Sequence, residues 1–182
     1  MKATKRLLGL VLLVGIAAAP EEPSGYRTDE YLAPTPSTLH GATVLGTDQA
    51  HDLWEKRQAI FIDVLPRPPR PAGLPASTIW RPKPRLDVPG SIWLPDTGYG
   101  ALAPVMEAYF ERGLEGVTAG DRGRLIVFYC KAECWMSWNA AKRALALGYP
   151  RVAWYPDGMD GWVARGLPTE AREPVPRPGM TE

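Results

Sequence analysis

Cysteine and histidine are scarce in this chain: its 182 residues include two of each. The histidines, His40 and His51, flank the first short apolar run and share no ligand spacing with the cysteines, so a metal centre is not expected. An excess of charge of one sign is missing as well. Twenty-one basic against 20 acidic side chains leave a net charge of +1, which provides no long-range field to gather nucleic acid or an anionic membrane. Beyond the first 20 residues there is no second long apolar run, so the mature chain is expected to have no membrane span.

What is present begins with "MKATKRLLGLVLLVGIAAAP". Lys2, Lys5 and Arg6 precede an apolar stretch from Leu7 to Ile16, and small residues follow at Ala17, Ala18 and Ala19. That order is the pattern of a secretory signal peptide over residues 1–19, and the run is shorter than the roughly 20 residues a spanning helix needs. No cysteine follows to accept a lipid. The expected product is exported and, in a Gram-negative bacterium, periplasmic, where an oxidising environment lets neighbouring cysteines pair.

Residues 20–40 are rich in Pro, Glu, Ser, Thr and Tyr without apolar periodicity, which predicts an extended or weakly ordered lead-in. From residue 41 strand and helix patterns alternate. "ATVLG" is a short strand, and "TDQAHDLWEKRQ" is a helix with Thr47 or Asp48 as its N-cap. "AIFIDVL" has the continuous apolar character of a strand buried on both faces. Between Pro66 and Pro89 lie eight prolines and five basic residues (Arg67, Arg70, Arg81, Lys83, Arg85) against one acid, Asp87. Proline removes backbone donors, so this excursion should be neither sheet nor helix, and a rigid extended segment of this kind suits docking as well as simple crossing. "GSIWLP" is a further strand, and "APVMEAYFERG" a helix with Pro104 in its first turn. "RLIVFYC" is the most strand-like segment, followed by the helix "WNAAKRALALGY" ended by Gly148, the strand "RVAWY" and a short helix in "MDGWVARG". Residues 169–182 form a tail rich in proline and charge. Such alternation predicts an α/β domain over residues 41–168, a mainly parallel sheet with helices on both faces, whose chemistry gathers at the carboxyl ends of the strands.

Both cysteines sit at one such strand end, in "FYCKAECWMSW". Cys130 closes the apolar run where loop amides and a helix N-terminus stabilise a thiolate. Cys134, separated from it by Lys131, Ala132 and Glu133, comes within disulfide reach if those residues turn. A redox pair, a nucleophile with a resolving thiol, and a structural clip all satisfy this spacing. Lys131, Glu133, Trp135, Ser137 and Asp63 complete the candidate site. Lys131 either neutralises Glu133 or points to solvent, and Asp63 is a loop-fixing residue or an acid. Trp135, Trp138, Trp154 and Trp162 either pack the core or offer an aromatic stacking face.

These residues resemble the rhodanese-like domain family. "FIDVL" is similar to its first strand with the aspartate, and "LDVPGSIWLP" to its "HIPGA" segment with Asp87 in place of histidine. "LIVFYC" is similar to the strand leading to its active cysteine, and "AAKRALALGYPRVAWYPDGMDGWVARGLP" to its closing helix, strand, turn and helix, with Asp157 replacing a glycine. The resemblance runs from about Ala42 to Pro168 and implies that family's fold, with Cys130 at the position of the active cysteine. More narrowly, "CKAECWMSWNAA", "WLPDTGYG" and the leader resemble the exported proteins described as pyrroloquinoline quinone (PQQ)-dependent catabolism-associated CXXCW motif proteins, although the literal spacing here is Cys-x-x-x-Cys-Trp. That resemblance implies an accessory or binding role beside periplasmic quinoprotein dehydrogenases, with PQQ as the associated cofactor. A sulfurtransferase or thiol-disulfide enzyme using Cys130 as nucleophile, and a structural interaction domain held by a disulfide clip, remain the alternatives. Against thiosulfate as donor stands Glu133: like charges 4 Å apart at an effective dielectric near 20 repel by about 4 kcal/mol, which outweighs several neutral hydrogen bonds.

Overall fold

The computed structural model describes residues 19–75, 77–80 and 84–177. The leader expected over residues 1–19 lies, apart from Ala19, outside the described residues, as do Arg81 and Lys83. In chain order the elements are β1 (Thr43–Val44), α1 (Thr47–Glu55), β2 (Ile60–Asp63), β3 (Arg85–Asp87), β4 (Ile92–Trp93), α2 (Pro104–Thr118), β5 (Ile126–Tyr129), α3 (Trp135–Ala146), β6 (Val152–Trp154), α4 (Gly158–Ala164) and β7 (Glu170–Arg172). Five strands form one parallel sheet in the order β1-β6-β5-β2-β4, as the alternating pattern predicts.

The central strand β5 reads Ile-Val-Phe-Tyr and is buried at every position, because helices cover both faces of the sheet. Side chains alternate across it. Ile126 and Phe128 join Ile62, Phe110, Leu114 and Trp138 in the core under α2 and α3. Val127 and Tyr129 join Phe61, Ala50, Met159 and Trp162 in the core under α1 and α4. Continuing this alternation by one residue places Cys130 on the α3 side, and it lies in that core.

Three local expectations change. The N-cap of α1 is Gly46 rather than Thr47 or Asp48, and Gln49 reaches back so that its Oε1 accepts the Gly46 N–H at 2.9 Å. The proline-rich excursion is not wholly irregular: Arg85–Asp87 forms β3, which pairs antiparallel with β7 from the tail, Leu86 opposite Ala171. The lead-in and tail are both tied down. Beyond β7, Pro174 bridges Trp93 and the Val175 N–H donates to Trp93 O at 3.0 Å, so the outer edge of β4 is covered. Across the molecule, residues 22–39 lie against α3, and Leu39 is buried in the core beneath them. Among the described residues no helix is long and apolar enough to cross a membrane.

Candidate functional site

The loop after β5 is short and braced from three sides. Cys130 and Cys134 are joined by a disulfide, their Cα atoms 6.5 Å apart. Its floor is the start of α4. Met159 N–H donates to Cys130 O at 3.1 Å, Lys131 forms a β-bridge with Gly158, and Ala132 N–H donates to Asp160 Oδ2 at 3.0 Å. On the far side Leu32 forms an antiparallel bridge with Cys134. The turn is closed by Glu133 at φ 51°, a left-handed conformation that usually falls to glycine.

The helix α3 begins at Trp135 with Cys134 as its N-cap, so the second cysteine stands nearest the positive end of the helix dipole and the disulfide brings the Cys130 sulfur to the same point. Both cysteines are nevertheless buried, at 0% and 1% exposure. Ser137 Oγ donates to Cys134 O at 3.1 Å and accepts the Trp154 indole N–H at 3.0 Å, which makes it a brace for the loop. Lys131 is half-buried and Glu133 is exposed, and no ion pair joins them among the described residues.

The four tryptophans expected either to pack or to stack do the former. Trp135, Trp138, Trp154 and Trp162 are all buried, and their indole N–H groups donate to Pro34 O, Thr38 O, Ser137 Oγ and Pro168 O. They present no open aromatic face, so these residues do not fit PQQ as a stacked ligand.

Asp63 ends β2 on the opposite face of the sheet from Cys130, within a buried polar cluster that sequence reasoning did not assemble. Its Oδ2 accepts from Arg85 Nε at 2.7 Å and its Oδ1 from Leu65 N–H at 2.8 Å. The same guanidinium reaches Cys130 O at 3.5 Å, linking this cluster to the disulfide loop through the backbone. Asp87, also fully buried, accepts the Tyr129 hydroxyl at 2.8 Å. Its other oxygen, Oδ2, has no hydrogen-bond acceptor role filled. Burial, then the neighbouring Asp63 charge, push the Asp87 carboxyl up to about 8, against the opposing pull of Arg85 and Tyr129. A neutral carboxylic acid accounts for both facts, since a protonated Asp87 becomes a donor and the neighbouring Asp63 carboxylate is its acceptor, a hydrogen bond that favours the neutral form. Asp63 thus holds the loops at the sheet end, while the acid with a displaced pKa is Asp87. One sequence signal pointed there: Asp87 is the single acid in a basic segment, at the place where the resembling family has histidine.

The family model for the rhodanese-like domain matches residues 47–165. No curated protein matches the sequence. Among solved structures, a thiosulfate sulfurtransferase from Pseudomonas aeruginosa aligns with a TM-score of 0.50 at 18% identity, covering 73% of this chain and 21% of that one. The polysulfide-sulfur transferase homodimer of Wolinella succinogenes aligns at 0.45 and 19% identity, over 73% of this chain and 81% of that one. An uncharacterised protein from Saccharomyces cerevisiae aligns at 0.43 and 22% identity, over 69% and 93%.

Proposed function

This chain belongs to the rhodanese-like domain family, and on that premise we propose that it is an exported dithiol–disulfide protein serving PQQ-dependent alcohol catabolism in the periplasm. The observation that carries the redox part is the disulfide at the carboxyl end of the central strand, where the family resemblance puts the active cysteine. Reduction by a partner dithiol breaks the Cys130–Cys134 bond and leaves two thiols here and a disulfide on the partner, with two electrons and two protons transferred. The signal-peptide pattern and the Cys-Trp ending support the compartment and the pathway; PQQ itself belongs with the dehydrogenase in this reading.

Sulfur transfer from thiosulfate is disfavoured by the loop's own acceptors. The Ala132 amide that would face an incoming anion is already taken by the Asp160 carboxylate, and Glu133 adds a second negative charge beside it. Thiosulfate:cyanide turnover is expected to stay well below about 1 per second, and Glu133→Gly to raise it; ordinary enzymatic turnover by the unaltered protein would overturn this account.

The reduction potential of the pair tests the proposal. A working pair lies well above roughly −300 mV and a structural clip below it, so equilibration against glutathione or dithiothreitol buffers, read by thiol alkylation and mass, separates the two. Intact-mass analysis of the native protein checks export: a chain beginning near Ala19 or Pro20 in the periplasmic fraction is expected, and a retained Met1 in the cytosol would exclude it.

A further inference from the structure

The disulfide is sealed by the chain's own lead-in, and the way that seal is made identifies what can open it. Along α3, every hydrogen bond to residues 23–38 among the described residues is made to main chain, and two side-chain stacks accompany them, the Arg27 guanidinium 5.4 Å from the Trp135 ring and the Arg143 guanidinium 4.8 Å from the Tyr26 ring. Trp135 N–H donates to Tyr31 O at 2.9 Å, and the Trp135 indole to Pro34 O at 3.1 Å. The Trp138 indole donates to Thr38 O at 3.1 Å. Asn139 grips the Arg27 peptide at both ends, its Oδ1 accepting Arg27 N–H at 3.0 Å and its Nδ2 donating to Arg27 O at 2.8 Å. Lys142 Nζ donates to Pro23 O at 3.1 Å. Leu32, whose backbone bridges Cys134, leaves its own side chain 61% exposed.

A groove whose hydrogen bonds go to carbonyls and amides in this way selects an extended backbone first, with the Tyr26 and Arg27 side chains adding the two stacking contacts. Away from α3 the covering segment is also held by a side chain of its own, the Tyr31 ring edge-on to Tyr99 with its hydroxyl accepting Gly100 N–H at 3.1 Å. We propose that the face of α3 beside Cys134 is a polypeptide-binding groove, occupied by residues 23–38 as a tethered competitor, and that the redox partner is a polypeptide whose extended, dithiol-bearing segment displaces it. This rests on the redox reading above. Displacement bares the disulfide at the point where the partner's main chain takes over the bridge now made by Leu32. A partner thiolate then attacks one sulfur, the other cysteine leaves as thiolate, and the partner's second thiol resolves the mixed disulfide. A tethered competitor acts at millimolar effective concentration, so small thiols meet a closed site most of the time.

The test uses the full chain with Gly100→Ala, because a Cβ at Gly100 collides with the Arg27 carbonyl and so lifts the covering segment without altering α3. Dithiothreitol should reduce the disulfide of this variant about tenfold faster than that of the unaltered protein, at a similar melting temperature. A synthetic peptide with the sequence of residues 22–40 should bind the oxidised variant, quench or shift its tryptophan fluorescence, and slow reduction again. A second peptide that keeps the prolines, Tyr26 and Arg27 but exchanges the other side chains should bind within about threefold, since the remaining contacts along the groove are hydrogen bonds to backbone. If Gly100→Ala does not fold, Tyr31→Ala removes the covering segment's own hold and gives the same readouts. Unchanged reduction rates, no binding of the first peptide, or loss of binding on side-chain exchange would each overturn the groove. Peptide binding together with a potential in the structural range would instead sink the redox reading and leave the groove standing.

Discussion

At Asp87 the balance of forces is decided by burial. The carboxyl is fully enclosed and faces the Asp63 charge, so ionising it costs more than Arg85 and Tyr129 return, and its pKa rises from 3.8 to about 8. The folded state therefore binds a proton more tightly than the unfolded chain. Its stabilising effect is complete below about pH 4 and is lost progressively as pH rises through about 8. Melting temperature should fall between pH 5 and pH 9, and Asp87→Asn should flatten that slope; an equal slope in both proteins would refute the neutral acid. Arg85 is the complementary case. Replacing it with Met removes the cation beside the buried Asp63 and leaves an uncompensated charge, an expected loss of about 3–5 kcal/mol in urea denaturation. Tyr129 responds in the same direction as Asp87, its hydroxyl pKa held far up by burial and by the two carboxylates.

Among the elements, the junction between the end of β5 and the start of α4 sets the shape of the disulfide loop. Gly158 sits at φ 51°, and a Cβ there would lie 2.8 Å from both Cys130 O and Lys131 Cα, backbone atoms with no freedom to yield. Gly158→Ala is expected to cost about 1–3 kcal/mol and to speed disulfide reduction, measured by thermal unfolding and alkylation; unchanged values for both would show that the loop does not depend on this contact. The alternation of β5, β6 and their helices was legible in the sequence because a strand covered on both faces must be apolar throughout, as "LIVFY" is. The cysteine pairing was legible as one of three readings, from spacing alone. What escaped were β3 with β7 and the docking of the lead-in. Their partners lie far away in sequence and are matched by backbone hydrogen bonds, so neither leaves a period in the residues. Trp135 and Trp138 read as packing or stacking for the same reason: which surface covers an indole depends on a segment about 100 residues earlier.

For the molecule as a whole, the lead-in and the tail perform different tasks on the same face of the sheet, the one covered by α2 and α3. The tail finishes the exposed edge at β4, where Val175 O accepts the Tyr109 hydroxyl at 2.8 Å, and the lead-in covers α3. These ends also differ in when they can act. Cys130 and Cys134 are four residues apart, and closing so small a loop is fast. The lead-in depends on contacts 100 to 119 residues downstream, such as Thr38 with Trp138 and Pro23 with Lys142, and closing loops of that length costs more chain entropy than closing the cysteine loop. While the chain is still folding, the thiols are thus open to an oxidant for as long as the lead-in remains undocked. In the groove we propose, the docked lead-in then preserves whichever redox state the two sulfurs reached before it closed, and small reductants change that state only slowly.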